Sequence, residues 1–256
     1  MSLLEVFVAT QLVTFLLVFA RLGCALMLFP GFGDTTVPTE IRLFLALGLS
    51  FVFVPVLQQF MPAEIPKDAI SFGLLVIHEM LVGVFIGLMA QIMLIAMNIA
   101  GVLIAHATSL ASAFTFNPQM ATQSNVISSF ISLLIIVMIF VTDLHHLLLL
   151  GIIDSYRLLP ITAELIFGDM AYTLAEGISL ALRVGLMIAA PFIIVAFGVF
   201  ISMGLVARLV PQIQVFIMSI PVQIIAGFIV FMTAISAMML YFLEQYSGFW
   251  QNVFAS

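Results

Sequence analysis

Titratable side chains are scarce in these 256 residues: twelve Asp plus Glu, six Lys plus Arg and four His. Each one is therefore a candidate for chemistry. The densest group is Asp143-Leu144-His145-His146, donor types that a divalent metal accepts. Neighbouring helical residues point about 100° apart, however, and no second ligand pair occurs elsewhere, so polar groups at a membrane interface or helix contact are the preferred reading. His78 and His106 have no spacing that pairs them. The single lysine, Lys67, has no glycine-rich surroundings, so no phosphate-binding loop exists, and neither Gly-x-Ser-x-Gly nor His-Glu-x-x-His occurs. The residues thus point to a non-enzymatic protein with no catalytic, cofactor-binding or metal residues, and any energy source is expected in another chain.

Glu79, Arg21 and Arg183 stand well inside apolar runs, where a charge facing lipid costs at least ~2.5–3.5 kcal/mol. They should face protein. Glu79 is followed by Gly83 and Gly87 at i+4 and i+8, so an acid and two glycines share one helical stripe, and the GxxxG spacing lets a second helix approach closely. Gly177, Ala181 and Gly185 repeat the device beside Arg183. These helices are expected to pack tightly, with Glu79 paired to Arg183 or Arg21 in a structural role rather than as a proton relay.

The elements that must position these residues are helices. With 64% hydrophobic and 7% charged residues, against about a quarter charged in soluble domains, the chain cannot cover itself in water. Six apolar runs, Val6–Phe29, Ile41–Met61, Phe72–Ile104, Val126–Ile153, Ala171–Val206 and Ile213–Leu243, are of helix length. The expected fold is all-α, a single polytopic membrane-type domain over residues 1–256 whose short Pro- and Gly-rich connections fold the helices into bent hairpins. Three runs exceed one span. Ala171–Val206 alone would extend roughly 50 Å and carries Pro191 near its middle, where a kink is expected. Lys67 and Arg157 fall on one side and Arg42 and Arg208 on the other, so the positive-inside rule gives no orientation. The acidic start, Met1 to Glu5, is the wrong charge for a cleavable signal peptide, so the first helix is expected to be retained. Lone Cys24 reads as a small core residue, and a net charge of -6 without a basic cluster excludes nucleic acid.

One connection is unlike the others. Ala105–Asn125 contains His106 but no Asp, Glu, Lys or Arg, and mixes Ser, Thr, Asn and Gln with Phe114, Phe116, Pro118 and Met120. Irregular backbone at membrane depth is tolerated only inside protein or along a water-filled path. A re-entrant or pore-plugging segment and an uncharged surface loop both fit this composition.

Four stretches in order along the chain carry a resemblance. They are Ala20-Arg21-Leu22-Gly23 with Phe29-Pro30-Gly31-Phe32-Gly33, Val37-Pro38 and Arg42-Leu43; His78-Glu79 with Gly83 and Gly87; Asp143-Leu144-His145-His146 with Asp154 to Pro160; and Ala189-Ala190-Pro191 with Gly204-Leu205-Val206-Ala207-Arg208-Leu209-Val210-Pro211-Gln212. The last, whose turn is Arg208, Pro211 and Gln212, is the most specific. Together they resemble the FliR/SctT family of type III secretion export gates over nearly the whole chain; the family often has Gly where this chain has Leu144.

The resemblance implies a core subunit of a flagellar export gate in the bacterial inner membrane and basal body, with part of the assembly displaced toward the periplasm. The implied partners are FliP-like and FliQ-like subunits, FlhB-like and FlhA-like proteins, membrane lipid, and the unfolded flagellar subunits that the gate exports. It implies a FliP-like part over residues 1–170 and a FliQ-like part over 171–256. Residues 106–122, with Phe114, Phe116, Asn117, Pro118, Gln119 and Met120, take the place of the family's closed-state plug. The rivals are the equivalent subunit of a virulence injectisome and an ion-coupled secondary transporter. Transporter halves should repeat one hydropathy pattern, which this chain does not.

Overall fold

The computed structural model describes residues 3–34, 37–61, 68–110, 126–163, 165–210 and 214–254. Among them there is no strand. The helices are α1 (Leu3–Leu28), α2 (Thr39–Leu57, continued by a 3-10 turn Gln58–Phe60), α3 (Ala69–Ala107), α4 (Val126–Val141), α5 (Leu144–Leu158), α6 (Phe167–Leu209) and α7 (Val215–Phe254).

Local chemistry sets several of the ends. Gly31 takes a positive φ of 78° in the turn after α1, a conformation that costs glycine little. Pro38, with φ of -54°, precedes the first turn of α2, and Glu40 sits where the helix dipole favours an acid. The fourth apolar run, Val126–Ile153, reads as one helix in the sequence but is broken. α4 and α5 meet at a bend of 74°, because Asp143 turns left-handed at φ 58° and begins α5. Aspartate tolerates that region better than most residues, and the break carries neither Gly nor Pro to announce it. By contrast α6 continues helical on both sides of Pro191.

Five helices are long and apolar enough to cross a membrane, or six when the bent α4/α5 pair counts as one span. Helices α3, α6 and α7 run for 39, 43 and 40 residues. At 1.5 Å per residue each reaches roughly 60 Å, about twice a hydrocarbon layer.

The chain forms two compact units, each discontinuous in sequence: residues 1–92 with 143–177 and 247–256, and residues 93–142 with 178–246. In the first unit α1 packs on α2, and Leu17, Leu22, Leu26 and Phe29 are buried together with Val82 and Ile86 of α3 and Tyr156 of α5. Trp250 closes this core, edge-on to Phe29 and stacked at 5.1 Å on Phe254; a Cβ on Gly151 would come within 3.0 Å of its ring. In the second unit Ile131, Ile135 and Ile139 form the buried stripe of α4, four residues apart. Phe192 and Phe130 both pack on Phe231, with ring centres 6.2 and 6.1 Å away.

Helix α3 approaches α4 closely at Gly101, where a Cβ would stand 2.5 Å from the Ser128 Cα. Substituting Gly101→Val should force the two helices apart and cost ~1–3 kcal/mol by overpacking. A fall in the melting temperature of the purified protein would report it, with Gly48→Ala inside α2, which meets nothing within 4 Å, as the control that should not lower it.

Candidate functional site

The first unit buries a charged cluster in an otherwise apolar interior. Arg21 on α1 and Glu79 on α3 both have zero exposure. The Arg21 guanidinium donates from Nε to Glu79 Oε2 at 2.8 Å and from Nη2 to Oε1 at 2.7 Å, the bidentate fork that suits a planar carboxylate. Nη1 donates to Ser155 Oγ at 3.0 Å and Nη2 to the Leu159 carbonyl at 3.0 Å. The Tyr156 ring lies beneath, with its centre 3.8 Å from the guanidinium carbon, a cation–π contact that gains strength in a desolvated site. Phe60 in turn lies 6.5 Å from Tyr156.

The glycine stripe explains how the two helices come so close. A Cβ on Gly83 would collide with the backbone carbonyl of Arg21 itself, and one on Gly87 would meet the Leu28 side chain at 2.6 Å and the Ala25 carbonyl at 3.2 Å. Helix α1 therefore lies along the side-chain-free stripe of α3, and this approach lets the guanidinium reach the carboxylate. Sequence spacing left Arg21 and Arg183 open as partners for Glu79; the structure pairs it with Arg21 and leaves Arg183 exposed on α6.

The second small-residue stripe is split. Gly185 is a close approach in the second unit, where a Cβ would come 2.6 Å from the Ala96 carbonyl. Gly177, in the first, leaves ordinary contact distances of 3.4 Å to Phe249 and 3.5 Å to Ile92, and Ala181 is 2% exposed. Arg208 is exposed near the end of α6. Pro211 and Gln212 lie outside the described residues, as do Phe114, Phe116, Asn117, Pro118, Gln119 and Met120.

Two polar arrangements escaped sequence reasoning. Ser155, Tyr156 and the Leu159 carbonyl complete the arginine cluster from α5 and its end, more than a hundred residues from Arg21; their only signal was their place in the Asp154 to Pro160 stretch that carries the resemblance, which assigned them no contact. In the second unit Ser109, left-handed at φ 57°, donates from Oγ to Gln223 Oε1. Gln223, 2% exposed, buries an amide within α7.

The Asp143 group departs from its sequence reading. The His145 and His146 rings do not diverge but lie 4.1 Å apart, and one ligand atom from each of the three residues falls within 4.8 Å of the others. His146 and Asp143 are 64% and 76% exposed. The donors surround the N-terminus of α5, whose positive dipole end opposes a cation; Asp143 makes no side-chain cap there, and His146 Nδ1 lies 3.8 Å from its Oδ1 as an exposed pair.

Comparison with known proteins bears on the whole chain. Residues 12–249 match the bacterial export proteins, family 1. The chain is 32% identical to a flagellar biosynthetic protein FliR of Caulobacter vibrioides, over 93% of this chain and 94% of that protein. It is 32% identical to one of Bacillus subtilis over 87% of this chain and 86% of that protein, and 30% identical to one of Aquifex aeolicus over 88% and 86%.

Removing one partner of the buried pair leaves an uncompensated charge, which costs about 3–5 kcal/mol, whereas an apolar replacement of both is often near neutral. Arg21→Met and Glu79→Leu should each lower the recovery and melting temperature of the purified protein sharply, and the double variant should regain most of the loss.

Proposed function

Since the chain belongs to the bacterial export proteins, family 1, we propose that it is a non-enzymatic core subunit of a flagellar type III export gate in the bacterial inner membrane. The similarity to flagellar biosynthetic proteins over 93% of the chain carries this reading, and it favours the flagellar assignment over a virulence injectisome. Partner subunits of FliP-like and FliQ-like type complete a channel for unfolded flagellar subunits, with FlhB-like and FlhA-like proteins as further partners. Residues 1–170 correspond to a FliP-like part and 171–256 to a FliQ-like part.

The apolar faces support an assembled state. Ile194, Phe197 and Ile201 on α6 are 70%, 63% and 66% exposed, and helices of roughly 60 Å are longer than lipid alone can cover. Neighbouring subunits then cover the surplus, with part of the assembly displaced toward the periplasm.

Residues 106–122 form the closed-state plug. Leu110 and Val126 line one apolar pocket of about 360 Å³ in the second unit, with Thr108, Phe130, Phe192 and Phe231. The root of the segment is held by the Ser109–Gln223 bond. Phe114, Phe116 and Met120 supply bulk that excludes water and ions, while Asn117, Gln119 and their uncharged neighbours let the segment swing aside without stranding a charge in a low-dielectric passage.

Deleting Leu110 to Gln119 in cells that make the whole gate should raise ion leakage several-fold while the complex still co-purifies. Unchanged leakage with intact assembly would overturn the plug, and failure of the chain to co-purify with any large complex would overturn the subunit assignment.

A further inference from the structure

The charged residues of the second unit are few and fall at two levels. In residues 93–142 and 178–246 the only Asp, Glu, Lys or Arg are Arg183, Arg208 and Glu244. Arg183 and Arg208 are both exposed on α6, and neither belongs to an ion pair among the described residues. Between them α6 carries no charge and no histidine, and α7 carries neither from Val215 to Leu243. The Tyr241 hydroxyl of α7 donates to Met187 Sδ of α6 at 3.0 Å, which sets the register of these two antiparallel helices. Arg183 lies four residues before Met187 and Glu244 three after Tyr241, so both helices leave the charge-free stretch at one level.

The spacing of the two arginines has a physical scale. They are 25 residues apart, which is about 37 Å along an α-helix. A hydrocarbon core is about 30 Å thick, and a bilayer with its headgroups about 40–45 Å. When the charge-free stretch fills the core, both guanidiniums therefore come to headgroup depth, and the long arginine stems carry them outward to the phosphates.

We infer that the bilayer lies along the α6/α7 pair between these two levels, and that Arg183 and Arg208 each bind the phosphate of a lipid, one in either leaflet. The planar guanidinium matches two phosphate oxygens at once and keeps its charge at any accessible pH. The face between the arginines suits hydrocarbon, with Leu186 and Leu205 of α6 and Ile225 and Met232 of α7 all exposed. Two of the exposed hydroxyls on it are satisfied within their own helices: Ser202 Oγ donates to the Gly198 carbonyl at 2.8 Å, and Thr233 Oγ1 to the Ile229 carbonyl at 3.0 Å. A polar group turned toward lipid has no other partner to use. Residues 167–182 of α6, with Asp169 and Glu176, then lie beyond the headgroups.

The inference stands apart from the plug and is read without export, on the native purified complex in vesicles of phosphatidylcholine and phosphatidylglycerol. With Cys24→Ala and no other labelled thiol, a nitroxide on Met232→Cys sits near the middle of the charge-free stretch, and nitroxides on Tyr172→Cys and Leu209→Cys sit at exposed positions outside it. The ratio of collisions with oxygen, which concentrates in hydrocarbon, to collisions with a water-soluble nickel chelate should be several-fold higher at Met232 than at the other two. Equal ratios at all three would overturn the placement of the bilayer, and so would few collisions with either reagent at Met232, since that pattern means a cover of protein. The double variant Arg183→Gln, Arg208→Gln should retain several-fold less phosphatidylglycerol through purification, lysine at both positions should restore it, and Arg157→Gln in the first unit should leave it unchanged. Equal retention by the wild type and the glutamine double variant would overturn the phosphate sites, as would loss of the difference in excess inorganic phosphate, which would assign them to a free anion. If the glutamine variant fails to assemble, the nitroxide profile and the competition by inorganic phosphate on the wild type decide.

Discussion

Arg21 and Glu79 have no exposure in a chain that is only 7% charged, and holding them there sets requirements on much of the first unit. An isolated buried ion costs several kcal/mol, and a pair recovers this only when geometry and further hydrogen bonds are good. Every part of that compensation is present: a bidentate fork, a serine hydroxyl, a backbone carbonyl and an aromatic face. Each contribution dictates a neighbour. The fork requires α1 to lie against α3, hence the missing side chains at Gly83 and Gly87. The serine and tyrosine require one face of α5 to point at α1. The carbonyl requires α5 to end where it does, at Leu158, so that Leu159 caps it before Pro160. The pair is thus less a source of stability than a specification of which packing is admissible, since other arrangements of these apolar helices would strand a charge.

Beyond this cluster the balance reverses. The outer faces of α6 and α7 are lined mainly by large apolar side chains, among them Leu182, Leu186, Ile225 and Met232, with Arg183 exposed beside them on α6. Lipid satisfies such a face as well as protein does, so these surfaces acquire specificity only through shape and small residues. The contrast separates a first unit whose internal geometry is dictated by hydrogen bonds from helices whose contacts depend on what surrounds them. Membership of a family of export proteins makes a multi-subunit surrounding the natural one.

Most of the fold was legible because apolar run length is a strong signal. The six runs correspond to the helices of the structure, apart from the division at Asp143. That division was illegible for a definite reason: a single left-handed aspartate breaks the helix without the glycine or proline that would mark it, and its polar neighbours attract a ligand reading instead. Spacing showed that some helix lies along Gly83 and Gly87 but not which, so the partner of Glu79 stayed open between two arginines. Ser155 and Tyr156 were invisible because their role depends on a contact across 134 residues of chain, which periodicity does not encode. The exceptional composition of 106–122 was plain from the residues, but most of that segment, from Ala111 onward, lies outside the described ones.

The order of the chain adds a constraint in time. Arg21 is made 58 residues before the glutamate that neutralises it, and 138 residues before the Leu159 carbonyl that completes its shell. At ~5–20 residues per second, roughly 3 to 12 s pass between the first arginine and its counter-charge. During that interval α1 is a hydrophobic segment with a bare cation in its middle, disfavoured in the bilayer core by ~2.5–3.5 kcal/mol at that position. The first helix of this protein therefore carries an uncompensated charge until α3 has been made, and only Glu79 removes that cost.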